Sequence, residues 1–187
     1  MVYFLYRLIY LIIPGFDGSG LVCYNNLNMI TKSQKLLYSL IKKGEVIEDK
    51  TKLAKLQYFA DFIHYAFYNH PISDEGMIYT KQKQGPLSRT LTDDIETLKK
   101  EGLIVEQPNY HYKIKENLKV NLSKEEEKTL DFVIDKYGKA SYKELVDICH
   151  AQTPYLSTGE GQIVEFFTAY NLVDDYPDYA TSIKHNS

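Results

Sequence analysis

Apolar residues along this chain recur mostly at helical spacing, with short alternating runs in the middle. Leu36, Leu37, Leu40 and Ile41 mark one face of a helix over Ser33–Ile41, and Gly44 stands where it should end. A longer helix is predicted from about Lys50 to Asn69. Leu53, Leu56, Ala60, Ile63 and Phe67 form its stripe, while Phe59, Phe62 and Ala66 widen it into a surface covered on several sides. His70-Pro71 stops it, because the residue before a proline is pushed out of the α region. Met77–Thr80 reads as a short strand. Leu87–Glu101 reads as a helix with Leu87, Leu91, Ile95 and Leu98 on one face and Gly102 at its αL cap.

Leu103–Gln107 and Tyr112–Lys115 then alternate like two strands around Pro108-Asn109, a hairpin pattern. Ser123-Lys124-Glu125-Glu126 and Ser141-Tyr142-Lys143-Glu144 are capping boxes, in which serine and glutamate each satisfy the other's backbone amide. They open helices running to Gly138 and to His150. Gly159–Tyr170 reads as a last helix with Ile163, Phe166, Phe167 and Tyr170 on one face, and residues 174–187 as a polar, frayed tail. The expected fold is mainly α with a small β-hairpin: a compact helical domain over residues 29–173 with a winged-helix-like element.

Residues 1–28 stand apart as an N-terminal extension. Val2–Ile13 is nearly all apolar, but twelve residues fall short of the ~20 that a helix needs to cross a bilayer. Arg7 interrupts the run, and no basic n-region or small-residue cleavage site makes it a signal peptide. A segment packed on the domain, a membrane-touching segment and a start codon placed too early all fit. Met29, just before a good helix, favours the early start or a loosely attached extension.

Composition narrows the function classes. Of 187 residues, 44% are hydrophobic and 25% charged, ordinary for a globular protein, and a net charge of −3 argues against a surface dominated by nucleic-acid binding. Arg7 and Arg89 are the only arginines, so bidentate contacts to phosphate or guanine are poorly supplied. Cys23 and Cys149 form no C-x-x-C pair and imply small buried residues in a reducing, cytoplasmic setting. Seventeen tyrosines and no tryptophan place many rings at the core's edge.

Catalytic and metal-binding patterns are missing from the sequence. Asp61 and His64 could share a helix face, yet no further ligand accompanies them, so His64 reads as a helix-surface or core-edge residue. Cys149 and His150 are adjacent on a helix and point ~100° apart, which rules out a dyad. Thr158-Gly159-Glu160-Gly161 lacks the lysine and the spacing of a phosphate loop. The expectation is no enzyme, no cofactor and no metal.

Leu87–Lys115, a helix followed by a hairpin, has the layout of a winged helix, in which the helix reads the major groove and the wing touches phosphate. Lys81, Lys83, Arg89, Lys113 and Lys115 would be its phosphate contacts. Against this, Asp93, Asp94 and Glu96 on the candidate recognition helix would repel the DNA backbone, and such lysines are more often solvated faces.

Four elements, in order, resemble a known family. Lys55-Leu56-Gln57-Tyr58-Phe59-Ala60 is similar to the opening helix of Panacea (SocA-like antitoxin) domains. Lys83-Gln84-Gly85-Pro86-Leu87-Ser88 resembles their K-Y-G-P signature, with Gln84 where tyrosine is usual. Leu122–Glu127 through Tyr137-Gly138 resembles their L-S-x-E-E segment. Leu145–His150 followed by Thr153-Pro154-Tyr155 resembles their H-x-x-x-P-W element, with tyrosine replacing tryptophan.

The resemblance implies a non-catalytic, phage-associated or toxin–antitoxin protein that neutralises a partner toxin by direct contact. Its candidate contact residues are Lys83, Gln84, Gly85 and Pro86 in a tight turn, and His150, Pro154 and Tyr155 in a polar–aromatic corner. DNA binding by the winged element, including repression of its own operon, is the alternative.

Overall fold

A computed structural model describes residues 30–184, and the expectations for residues 1–28 lie outside the described residues. Helix α1 (Lys32–Gly44) starts at a capping box that the sequence reading missed, Thr31 with Gln34, and buries Leu36, Leu37, Tyr38, Leu40 and Ile41. Helix α2 (Lys50–Tyr68) is the centre of the fold. Asp49 caps it by accepting from the Lys52 amide, and Asn69 closes it in the left-handed region at φ 65°. A short polar side chain tolerates that conformation, so the helix ends one residue before His70-Pro71. Its broad apolar surface is covered by α1, α4 (Lys124–Tyr137), α5 (Tyr142–Ala151) and the segment Phe166–Leu172.

The middle of the chain carries two small antiparallel sheets. Strands β1 (Tyr79–Thr80) and β2 (Leu87–Ser88) join β5 (Ile163–Val164) in the order β2-β1-β5. Strands β3 (Ile104–Gln107) and β4 (His111–Ile114) form the expected hairpin, with Asn109 at φ 69° in its turn. The helix predicted over Leu87–Glu101 is shorter: Leu87 and Ser88 pair with Thr80 and Tyr79, and α3 begins at Leu91 and ends at Lys100. Its end is a Schellman motif. The amide of Gly102, at φ 72°, donates to Lys99 and that of Leu103 to Leu98, both at 3.0 Å.

Two stretches depart further from the sequence reading. Gly159–Tyr170 is not one helix. Gly161 takes φ 73°, Ile163-Val164 pairs with β1, and Phe166–Leu172 winds as a 3₁₀ helix. Backbone bonds between Lys81 and both Gly161 and Gln162, each 2.9 Å, offer that stretch a sheet partner that local periodicity cannot reveal. The polar end is not frayed through its length either, since Pro177–Lys184 forms helix α7. Tyr176 and Tyr179 are buried there. Tyr176 takes hydrogen bonds from the Tyr137 hydroxyl (2.9 Å) and the Gln152 amide (2.6 Å), and the Tyr179 hydroxyl lies 2.7 Å from that of Thr129.

The core is aromatic around α2. Phe59 stacks on Tyr137 at 4.2 Å between ring centroids, and Tyr58, Phe62, Tyr79 and Phe166 form a cluster of tilted, stacked and edge-to-face pairs. Asp61 is fully buried within it, accepting from the Ser73 amide and hydroxyl and from the Tyr79 hydroxyl. Burial raises its carboxyl to about 6 despite those three donors. His64, read as a surface or core-edge residue, is instead fully buried, with Nδ1 2.8 Å from the Thr129 hydroxyl. Helix α4 covers that side of α2, which the α2 sequence does not disclose.

Candidate functional site

Lys55 lies on the face of α2 that meets the turn between β1 and β2. It is buried, and its ammonium donates to the Pro86 carbonyl at 2.7 Å. Loss of water lowers it to about 8, a shift that the neighbouring Cys149 opposes only in part. The turn itself closes with the Gly85 amide donating to the Gln82 carbonyl at 2.8 Å, and Gly85 holds φ 89°. A Cβ at Gly85 would sit 3.1 Å from Lys55 Nζ and 3.3 Å from Cys149 Cβ, so glycine serves both the backbone and the close approach. Pro86 is buried beside it, while Lys83 and Gln84 project into solvent.

The second candidate corner reaches the same place. Helix α5 ends at Cys149 and His150, and α6 (Thr153–Leu156) follows with Pro154 in its first turn, where a missing amide costs nothing. The His150 ring stacks on Tyr155 at 4.3 Å with 19° between planes. Lys81 Nζ lies 4.0 Å from the Tyr155 centroid and donates to the carbonyls of Tyr155 (2.8 Å) and Thr158 (2.7 Å). The Tyr155 hydroxyl donates to the Gln82 carbonyl at 3.3 Å. Gln152, also buried, accepts from the Tyr58 hydroxyl and donates to Tyr176, anchoring the corner to α2 and to the segment that leads into α7.

Elements that are separate in sequence therefore form one locus: Lys55 beneath, the Gly85-Pro86 turn on it, and His150 with Tyr155 alongside. Lys55 is not among the contact residues the sequence suggests. The available signal was a lysine set among the apolar positions of a helix that buries nearly all round. Gln152 carried no local signal.

Cys149 is buried and its thiol is pushed up to about 12, and His150 faces Tyr155. Among the described residues, no three His, Cys, Asp or Glu side chains are placed to hold a metal ion, and no helix is long and apolar enough to cross a membrane.

Of the residues considered for DNA, Lys81, Lys83 and Arg89 lie in or beside the β1–β2 hairpin, with Lys81 tied to the carbonyls of Tyr155 and Thr158, whereas Lys113 and Lys115 belong to the other sheet's hairpin and its edge. On α3, Asp94 is buried, bonded to Ser33 and Gln34 of α1, while Asp93 and Glu96 stay exposed. Lys99 pairs with Glu96 and Glu106.

A family model described as "Antitoxin SocA-like, Panacea domain" matches residues 53–155, more than half of the chain. No curated protein and no solved structure matches it.

Proposed function

The chain belongs to the SocA-like antitoxin family through its Panacea domain, and on that footing we propose that it neutralises a partner toxin by direct protein contact. The observation that carries this reading is the meeting of the Gly85-Pro86 turn with the His150–Tyr155 corner on one surface. Lys55 holds the turn from below, and Tyr155 spans turn and corner. Lys83 and Gln84 are thereby presented from a pre-ordered backbone, which lowers the ordering cost of binding. The setting of this action is the cytoplasm.

Co-expression with the product of the adjacent gene tests it. The neighbour alone should arrest growth, and the pair should co-purify and grow. Lys83→Glu combined with Tyr155→Ala should weaken the complex by about 10-fold or more. A neighbour that is harmless alone, or that this protein does not bind, overturns the reading.

A further inference from the structure

Among the described residues, the strongest apolar exposure lies beside the candidate locus and has no role in the proposed function. Leu156 on α6 is 66% exposed, Ile163 on β5 41% and Phe167 on the 3₁₀ segment 63%. Apolar side chains left in water favour burial against a partner. Between α6 and the 3₁₀ segment runs an open groove walled by Ser157, Ile163, Glu165, Phe167 and Asn171. Among the described residues, strand β5 ends its sheet and pairs only with β1.

Charge selects what fits there. From Ala151 to Ile183 the sequence has no lysine, arginine or histidine but carries Glu160, Glu165, Asp174, Asp175 and Asp178. Glu165 lies on the groove wall, and Glu160 is exposed in the adjoining turn. Lys81 borders this face, but its ammonium is tied to the carbonyls of Tyr155 and Thr158. An acidic face repels nucleic acid, and two copies of it repel each other. We propose that this α6–β5–3₁₀ face docks a basic segment of the partner toxin. An apolar side chain of that segment enters the groove against Ile163 and Phe167, while its cations meet Glu160 and Glu165.

The inference rests on the antitoxin reading and extends its surface from Tyr155 across to Phe167. It places the affinity in the exposed apolar anchors and the rate of encounter in the carboxylates. Binding of the purified adjacent-gene product to the full chain tests it. Phe167→Ala and Ile163→Ala, both on the groove wall, should each weaken binding by about 10- to 100-fold, and Val105→Ala, exposed on the hairpin instead, should not. Glu165→Lys should slow association and flatten its dependence on salt.

Because these side chains are exposed, the thermal midpoints should stay near wild type, and Glu165→Lys tests the face without touching an apolar contact. If these variants bind like wild type while Lys83→Glu with Tyr155→Ala does not, this inference falls and the antitoxin reading stands. If wild type itself neither binds nor neutralises the neighbour, both fall. Self-association of the chain that Phe167→Ala abolishes would also overturn the proposal.

Discussion

His64 is a neutral imidazole in the middle of the fold: burial lowers it from 6.5 to about 3, aided by His70, and Nε2 has no hydrogen-bond partner among the described residues. Its stabilising contribution is complete above 6.5 and is lost as pH falls toward about 3, because only the unfolded chain takes up the proton readily. Asp61 has the opposite sign. Raised from 3.8 to about 6, it contributes most below 3.8 and loses that contribution as pH rises through about 6. His64→Gln should therefore shrink the loss of stability between about pH 7 and about pH 4 by roughly 3 kcal/mol, as read by urea midpoints. An equal loss in both proteins would refute it. At Gly85, alanine would need an unfavourable φ and would crowd Lys55 Nζ. Gly85→Ala should cost about 1–3 kcal/mol and perturb the amides of Gln82–Pro86 in NMR spectra.

At the scale of elements, the caps carry the sequence's clearest local instructions. Ser123 accepts from the Glu126 amide at 3.1 Å while Glu126 returns a bond of 2.7 Å, and Ser141 with Glu144 repeats the arrangement. Ser123→Ala should cost about 1 kcal/mol, measurable as a lower thermal midpoint. Helix α7 responds to a different kind of signal. Ending the chain at residue 173 removes Tyr176 and Tyr179 and leaves Tyr137, Gln152 and Thr129 without the hydroxyls they meet. That truncation should destabilise the fold by several kcal/mol, about 2–4 for each buried aromatic lost, and an unchanged midpoint would count against it. The two cases explain what was legible. A cap is written within four residues, and the hairpin and the Gly102 helix end are each written within one continuous stretch. Residues 174–184 hold two aromatic anchors in a polar stretch, and their partners lie 39 and 50 positions away.

At the scale of the molecule, α2 organises everything else: α1, α4, α5 and the 3₁₀ segment all close on it, and three of the four family-like elements meet at its Lys55 side. The net charge of −3 is unevenly spread, with the acidic stretch gathered toward the chain's end and the basic residues elsewhere. Together with Lys81 and Lys99 being engaged within the fold, that distribution predicts no sequence-specific DNA complex. A gel shift with the chain's own upstream DNA should show none even at low salt, where any electrostatic binding is strongest. A specific band that fades steeply with added salt would favour the winged-helix reading instead.

The sequence by itself determined the mainly helical fold, the central helix, the hairpin, the two serine capping boxes and the family. Each of these is encoded in residues close along the chain, through periodicity, a cap or a motif. Tertiary structure alone decided that His64 is buried, that Ile163-Val164 forms a strand, and that the chain's polar end docks as a helix. It also decided that Lys55, Gly85-Pro86 and the His150–Tyr155 corner meet at one locus. In every one of these cases the deciding partner comes from far along the chain: α4 over His64, β1 beside Ile163-Val164, and Gln152 and Tyr137 around Tyr176. Burial, sheet pairing and the satisfaction of polar groups depend on which surfaces meet, and a local pattern holds no record of the surface across from it.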